Sequence, residues 1–318
     1  MPAIDMPIEE LMKYYGSSPL PKDFDKYWEK SLDEMNSVDP DIAMKKSCYT
    51  LPFADCFDFY FTGVGGARIY AKYLVPNALY NEPIGTVLVF HGYSGNSGDW
   101  FNLVPFVSAG FSVFAMDCRG QGGQSEDTSR VHGNTLHGHL IRGIEDSDEL
   151  LFRSVFLDAA ELAQIALQML HTDKKSIYTT GCSQGGGLAI ACAALVPQIG
   201  KIAAAFPFLS DYKRVWTMDL GENAYKEIKE YFQHFDPLHL KENSFFEKLG
   251  YIDIQNFANR IRGKVLMGTG LMDTICPAST QYAVYNKIIS EKEMLVYPDY
   301  GHEQLPGFKD KILEFFLE

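Results

Sequence analysis

Two hydrophobic regimes alternate along the chain. In the first, apolar and β-branched residues run without interruption over a strand's length and stop at a glycine or a polar turn: residues 85–90, 111–117, 177–180, 201–207, 264–270 and 294–297. Continuous runs of this kind suit strands buried on both faces. In the second, apolar positions recur at helical spacing. Residues 100–109, 156–170, 187–195 and 309–317 read as helices, the first ending at Gly110 and the third before Pro197. Strand and helix taking turns in this way predict a mostly parallel sheet flanked by helices, an α/β architecture. Ahead of it, residues 56–61 and 68–75 flank Gly63-Val64-Gly65-Gly66 as an antiparallel hairpin.

Three segments break the rhythm. Residues 1–45 form an N-terminal helical extension in which Phe24, Tyr27, Trp28, Leu32 and Met35 give one apolar face. Residues 124–150 form a long polar loop, of a length that usually serves a site or an interface. Residues from about 210 to 260 are aromatic and helix-like without a strand, and predict a helical insertion over the carboxyl edge of the sheet. With no linker, repeat or low-complexity tract, the whole chain, 1–318, reads as one domain.

The third strand-like run of the series leads into Gly181-Cys182-Ser183-Gln184-Gly185-Gly186 and then into a small apolar helix. Gly-x-Ser-x-Gly at a strand-to-helix turn is the nucleophile elbow of the α/β-hydrolase fold, where bulky neighbours do not fit. A serine hydroxyl needs a histidine base, and the histidine needs a carboxylate to fix its tautomer. In this fold they follow in the order Ser, Asp, His, each after a strand. Asp273 and His302 stand in those places, which makes Ser183, Asp273 and His302 the candidate catalytic set. Asp253, in the insertion, and Asp299, beside the histidine loop, are rival acids. For the oxyanion hole, the residue after the nucleophile supplies one N–H, from Gln184. The loop after an earlier strand, His91-Gly92-Tyr93, offers the N–H of Tyr93 as the second, with the tyrosine ring lining the substrate's acyl pocket. His91 reads as structural support for that turn. Arg119 reads as half of an ion pair shaping the entrance loop. His137-Gly138-His139 lacks a carboxylate or cysteine partner and is a poor metal site, so neither a metal nor another cofactor is expected.

Bulk properties narrow the picture further. A formal net charge of -13 and no basic patch argue against nucleic acid. Cys48, Cys56, Cys118, Cys182, Cys192 and Cys276 are scattered without pairing or metal spacing and read as reduced thiols. The N-terminus lacks the basic and apolar regions of a signal peptide, and no apolar run approaches the ~18 residues of a membrane span. A soluble, cytoplasmic protein with no membrane partner is expected.

Arg119-Gly120-Gln121, the elbow Gly181–Gly186 and His302-Glu303 together resemble the signature of carbohydrate esterase family 7, the acetyl xylan esterases and cephalosporin C deacetylases. The resemblance extends to Pro21-Lys22-Asp23-Phe24-Asp25, Trp28, Phe61-Thr62-Gly63, Tyr212-Lys213-Arg214 and Gly270-Leu271-Met272-Asp273, and so spans nearly the whole chain. Cys182 stands at a position that looks variable in the family. The resemblance implies a serine esterase that deacetylates short xylo-oligosaccharides, related sugar acetates and cephalosporin C. It implies Ser183, Asp273 and His302 as the triad, with Tyr93 and Gln184 as oxyanion donors. It also implies an intracellular homohexamer, a trimer of dimers, whose sites face an internal cavity. Two other functions share the fold: a broad short-chain carboxylesterase or peptidase, and a non-catalytic hydrolase-like binding protein.

Overall fold

The computed structural model describes residues 4–77, 83–130, 138–169 and 176–318. A nine-stranded sheet runs through it: β1 (Ala43–Lys46), β2 (Ala54–Thr62), β3 (Arg68–Pro76), β4 (Thr86–Phe90), β5 (Ser112–Met116), β6 (Ile177–Cys182), β7 (Lys201–Ala205), β8 (Lys264–Gly270) and β9 (Lys292–Tyr297). Their spatial order is β1-β2-β3-β5-β4-β6-β7-β8-β9. The first three strands pair antiparallel with their neighbours, and β5 through β9 pair in parallel. The two predicted regimes map onto this sheet with shifts of a residue or two. β1 was not expected. All four of its residues are exposed, so it carries no alternation to read.

The helices are α1 (Ile8–Leu11), α2 (Phe24–Asn36), α3 (Val104–Ser108), α4 (Leu151–Gln168), α5 (Gln184–Leu195), α6 (Tyr212–Thr217), α7 (Lys226–Phe235), α8 (Glu242–Leu249), α9 (Ala278–Lys287) and α10 (Phe308–Leu317). Side chains along the central strands point alternately to two apolar layers. Leu88 and Phe90 of β4 join the layer of α4 and α5, whereas Val87 joins that of α10. Ile202 and Ala204 of β7 split from Ala203 and Ala205 in the same way. Burial on both faces is what the uninterrupted apolar runs require.

Several expectations need adjusting. The helix over 156–170 begins earlier, at Leu151, and Leu170 lies outside the described residues. Residues 100–103 form a 3-10 turn, and only Val104–Ser108 is α-helical. α9 was missed: its residues from Ala278 to Val284 are all buried, so its sequence shows no apolar stripe. Between β7 and β8, α6, α7 and α8 stand where helices without a strand were expected. Of the 124–150 loop, residues 131–137 lie outside the described part. The remainder is less polar in its packing than in its composition, because Leu140, Ile141, Ile144 and Leu150 are buried. Part of the expected turn after Pro76, residues 78–82, also lies outside the described part. Among the described residues, no helix is long and apolar enough to cross a membrane.

α2 docks on α4 through Trp28. Its ring stacks on Phe156 at 6.0 Å and meets Phe257 edge-on at 5.0 Å, and its indole N–H donates to the Tyr251 carbonyl at 2.9 Å. Deeper in, Arg119 forms a bidentate pair with Asp158 of α4, Nε to Oδ2 at 2.7 Å and Nη2 to Oδ1 at 2.5 Å, and its Nη1 donates to the Val64 carbonyl at 3.0 Å. The pair is fully buried. The ion pair expected of Arg119 is thus present, and it ties the loop after β5 to α4 and to the β2–β3 turn.

Two outcomes follow from this packing. Trp28→Ala should lower the unfolding free energy by about 3–5 kcal/mol; a loss under about 1 kcal/mol in urea titration would mean that α2 is not part of the cooperative unit. Arg119→Ala should cost a similar ~3–5 kcal/mol, because it strands a buried carboxylate. Burial already raises the Asp158 pKa and Arg119 opposes that rise. Removing the arginine lifts the folded-state pKa further above the unfolded one, so the native state binds more protons across that window and stability falls as pH rises. Glu161, whose pKa burial raises to about 8, shifts in the same direction. The deficit of Arg119→Ala relative to wild type should therefore be larger near pH 8 than near pH 5, and a deficit that shrinks on going to pH 8 would contradict the assignment.

Candidate active site

β4 lies between β5 and β6, so the chain's crossovers leave it in opposite directions. The crevice at the carboxyl ends of strands around such a reversal is where ligands bind in open α/β sheets. Phe90, at the end of β4, pairs with Gly181 near the end of β6. The next residues on the two chains are His91 and, after Cys182, Ser183.

Ser183 has φ 55° and ψ −120°, a conformation that costs a non-glycine residue energy and persists only where surroundings enforce it. Three backbone bonds do so. The Ser183 N–H donates to Ala205 O, and its carbonyl accepts from Gly187 and from Phe208, each at 3.0 Å. Two glycines admit the turn. A Cβ on Gly181 would lie 2.4 Å from the Gly185 carbonyl carbon, and one on Gly185 would lie 2.1 Å from Phe90 O. The elbow therefore presses directly on the end of β4.

His302 arrives on the loop after β9, and its Nε2 lies 3.0 Å from Ser183 Oγ. Its Nδ1 lies 2.8 Å from Asp273 Oδ2, on the loop after β8. With an ionised Asp273, Nδ1 carries the proton and Nε2 is left free to accept from the serine hydroxyl. Asp273 is buried, and its Oδ1 accepts the N–H groups of Ile275 and Cys276, both at 2.8 Å. Both oxygens of this carboxylate are thus engaged, which holds the imidazole plane. The Phe206 ring stands 4.7 Å from that of His302 on one side. The rival acids are elsewhere: Asp253 accepts from the backbone of Asp211 and from Gln255, and Asp299 is exposed.

Of the two expected oxyanion donors, Gln184 follows the serine in the chain and Tyr93 lines the same pocket as Ser183. Gln184 opens α5, so its N–H is one of the amides a helix N-terminus leaves without an internal acceptor. Among the described residues no protein acceptor takes the N–H of Gln184 or of Tyr93. The loop bearing Tyr93 is fixed by contacts that the sequence did not announce. Gln121 Oε1 accepts the N–H of Ser94 at 2.9 Å, and the side-chain amides of Gln121 and Gln184 pair reciprocally at 3.0 and 3.1 Å. Asp117 Oδ1 accepts the N–H of Ser97 at 2.6 Å and its Oδ2 that of Gln124 at 2.8 Å. In Arg119-Gly120-Gln121, then, the arginine braces the fold and the glutamine joins the loop bearing Tyr93 to the elbow.

His91 is held from both ring nitrogens. Nδ1 contacts Gly92 O at 2.7 Å and Nε2 accepts the Cys118 N–H at 2.9 Å, which requires the neutral ring, and burial lowers its pKa. The ring supports the turn. His137 lies outside the described residues; His139 packs against Tyr93 with ring centroids 5.2 Å apart. Among the described residues no cluster of His, Cys, Asp or Glu could hold a metal ion.

These groups open onto a pocket of about 440 Å³. Ser183 and His302 line it, and Tyr93, Phe208, Ala224 and Ile275 give it an apolar wall. A polarised serine, a paired histidine and two free amides around such a pocket can carry out acyl transfer.

The chain matches the acetyl xylan esterase (AXE1) family over residues 1–318. It is 55% identical to acetyl xylan esterase 1 from Thermoanaerobacterium sp. JW/SL YS485, with 99% of each chain covered and a TM-score of 0.97. It is 31% identical to an acetyl xylan esterase from Paenibacillus sp. R4, covering 98% of this chain and 99% of that one, with a TM-score of 0.94. A more distant relative is the acetyl esterase Axe7A of Xylanibacter ruminicola, 28% identical over 302 residues and 92% of this chain. The chain spans 65% of that relative's length. From the match over its whole length and the 55% identity to a solved member, the chain belongs to the acetyl xylan esterase family, and with it to the α/β-hydrolases.

Proposed function

We propose that this protein is a serine esterase that removes acetyl groups from short xylo-oligosaccharides and related acetylated sugars, and that the acetyl ester of cephalosporin C falls within its range. The observation that carries the reading is the continuous chain from Ser183 Oγ through His302 to Asp273, at 3.0 and 2.8 Å, opening on a pocket with an apolar wall. Family membership supports the acetyl ester as substrate class.

In this reading His302 takes the hydroxyl proton as Ser183 attacks the acetyl carbonyl. The N–H groups of Gln184 and Tyr93 bind the oxyanion of the tetrahedral intermediate. Asp273 stabilises the imidazolium that forms, without taking its proton. His302 then donates to the departing sugar oxygen. Water attacks the acetyl-enzyme, activated by the same histidine, and acetate leaves. In the same reading the wall that Tyr93 helps to form favours a small acyl group over a long one.

Ser183→Ala should reduce acetate release from acetylated xylo-oligosaccharides by about 10³-fold or more with its unfolding midpoint near wild type; unchanged turnover would sink the assignment. On a series of p-nitrophenyl esters, butyrate should be cleaved at least about tenfold less efficiently than acetate, judged by kcat/KM. Equal efficiency on both, or cleavage of a peptide substrate in preference to either, would instead support a broad carboxylesterase or a peptidase.

A further inference from the structure

Glu227, in the first turn of α7, is a buried carboxylate that the triad does not use. It sits at the meeting of three segments that are far apart in sequence. Its Oε1 accepts the phenol O–H of Tyr93 in a short hydrogen bond. The same oxygen is 3.2 Å from the His139 N–H, which also donates to the Tyr93 hydroxyl at 2.7 Å. Its Oε2 accepts the Ile141 N–H at 3.1 Å. The contact is close enough to dictate the neighbouring residue: Gly138 has φ 113°, and a Cβ there would lie 2.0 Å from Glu227 Oε1. Burial raises the Glu227 pKa to about 7, so the structure bears a desolvation cost to keep an acid in this place.

The residue at the other end of this network is Tyr93, on the loop after β4. Its ring stands between Phe208, edge-on at 5.7 Å, and His139, at 5.2 Å, and lines the pocket beside Ser183. Its backbone is gripped one residue later, where the Ser94 N–H donates to Gln121 and Ser94 holds a φ of 57°. Tyr93 is therefore fixed at two points, the following peptide by Gln121 and the phenol by Glu227. With both points set, neither its ring nor its N–H is free to swing. Released at the phenol, the ring can turn about χ1 and the peptide bearing the N–H can follow it. A shift of about 1 Å in a group aimed at the reacting atoms is enough to cost on the order of 10²-fold in rate.

We infer that Glu227 is a positioning residue for the esterase reaction: through the Tyr93 hydroxyl it holds the Tyr93 N–H toward the oxyanion and the Tyr93 ring against the acyl side of the pocket. The inference rests on the reading of Ser183 as nucleophile and Tyr93 as oxyanion donor. It also gives the loop at 138–141 a task, since the amides of His139 and Ile141 hold the carboxylate that holds the tyrosine.

The test uses the full-length protein and four variants: Tyr93→Phe, Glu227→Leu, the double variant, and Ser183→Ala as a control. Tyr93→Phe keeps the ring and leaves both amides on Glu227, so it separates positioning from folding. Steady-state kcat and KM are measured on p-nitrophenyl acetate and butyrate, with active sites counted by a serine-directed fluorophosphonate. Each single variant should lose about 10- to 100-fold in kcat on acetate per labelled site, with KM changed by less than about threefold. The preference for acetate over butyrate should narrow in both. The double variant should be no slower than the slower single variant, because both changes cut the same connection. Wild-type kcat per labelled site and wild-type acyl preference in Tyr93→Phe would overturn the inference, as would a double variant whose losses multiply. If Ser183→Ala is itself active, the underlying reading fails instead.

Discussion

Backbone contact at the serine turn is the constraint on which the site depends. β6 can turn sharply into α5 only if Gly181 and Gly185 bring two stretches of main chain together, and Gly185 in turn lies against Phe90 O at the end of β4. No other residue type could stand at either place without a shift of main chain. The consequences reach well beyond the turn. Ser183 is lifted above the sheet with its amide bound to β7 through Ala205 O. The chain leaving β4 is delivered beside it as the loop that carries Tyr93. The loops after β8 and β9 then need only the ordinary strand spacing to bring Asp273 and His302 within hydrogen-bond reach.

Around this hard contact the site is held by polar groups whose partners are nearly all accounted for. Asp273 uses one oxygen on the imidazole and the other on two amides of its own loop. Gln121 and Gln184 exchange amide hydrogen bonds beside the loop bearing Tyr93, while Asp117 secures the stretch just after it. Buried networks of this sort are costly when any member is left unpaired and rigid when every member is satisfied. Rigidity is what an oxyanion hole requires, since its donors must already point to where charge develops.

Much of this arrangement could be read from the chain. The buried strands showed themselves as continuous apolar runs, and α2 by five apolar residues on one face, because burial on both sides and burial on one side leave different periodicities. Ser183, Asp273 and His302 were legible because the fold places each at the end of such a run, in fixed order. What escaped had no local mark. β1 is exposed along its length and α9 is buried through most of its length, so neither shows a pattern. Arg119 could be read as half of an ion pair, but its partner on α4 only became apparent with the packing of that helix. Gln121 and Glu227 act through residues that are neighbours only after folding, and an isolated glutamine or glutamate in a polar stretch does not announce such a role. The N-terminal extension is the same kind of case: Tyr14, Ser17 and Ser18 all donate to the buried carboxylate of Asp211, which no spacing connects to them.

The central claim is that the elbow serine forms a covalent bond to the acyl group. Rapid acid quenching of the enzyme during turnover of an acetyl ester, followed by digestion and mass mapping, tests it most directly. The acetyl group recovered should be on the peptide containing Ser183 and on that side chain, at no more than one per active chain, and should be lost in Ser183→Ala. Acetylation of a different residue at the rate of turnover, or turnover that survives in Ser183→Ala, would contradict the covalent role of the serine.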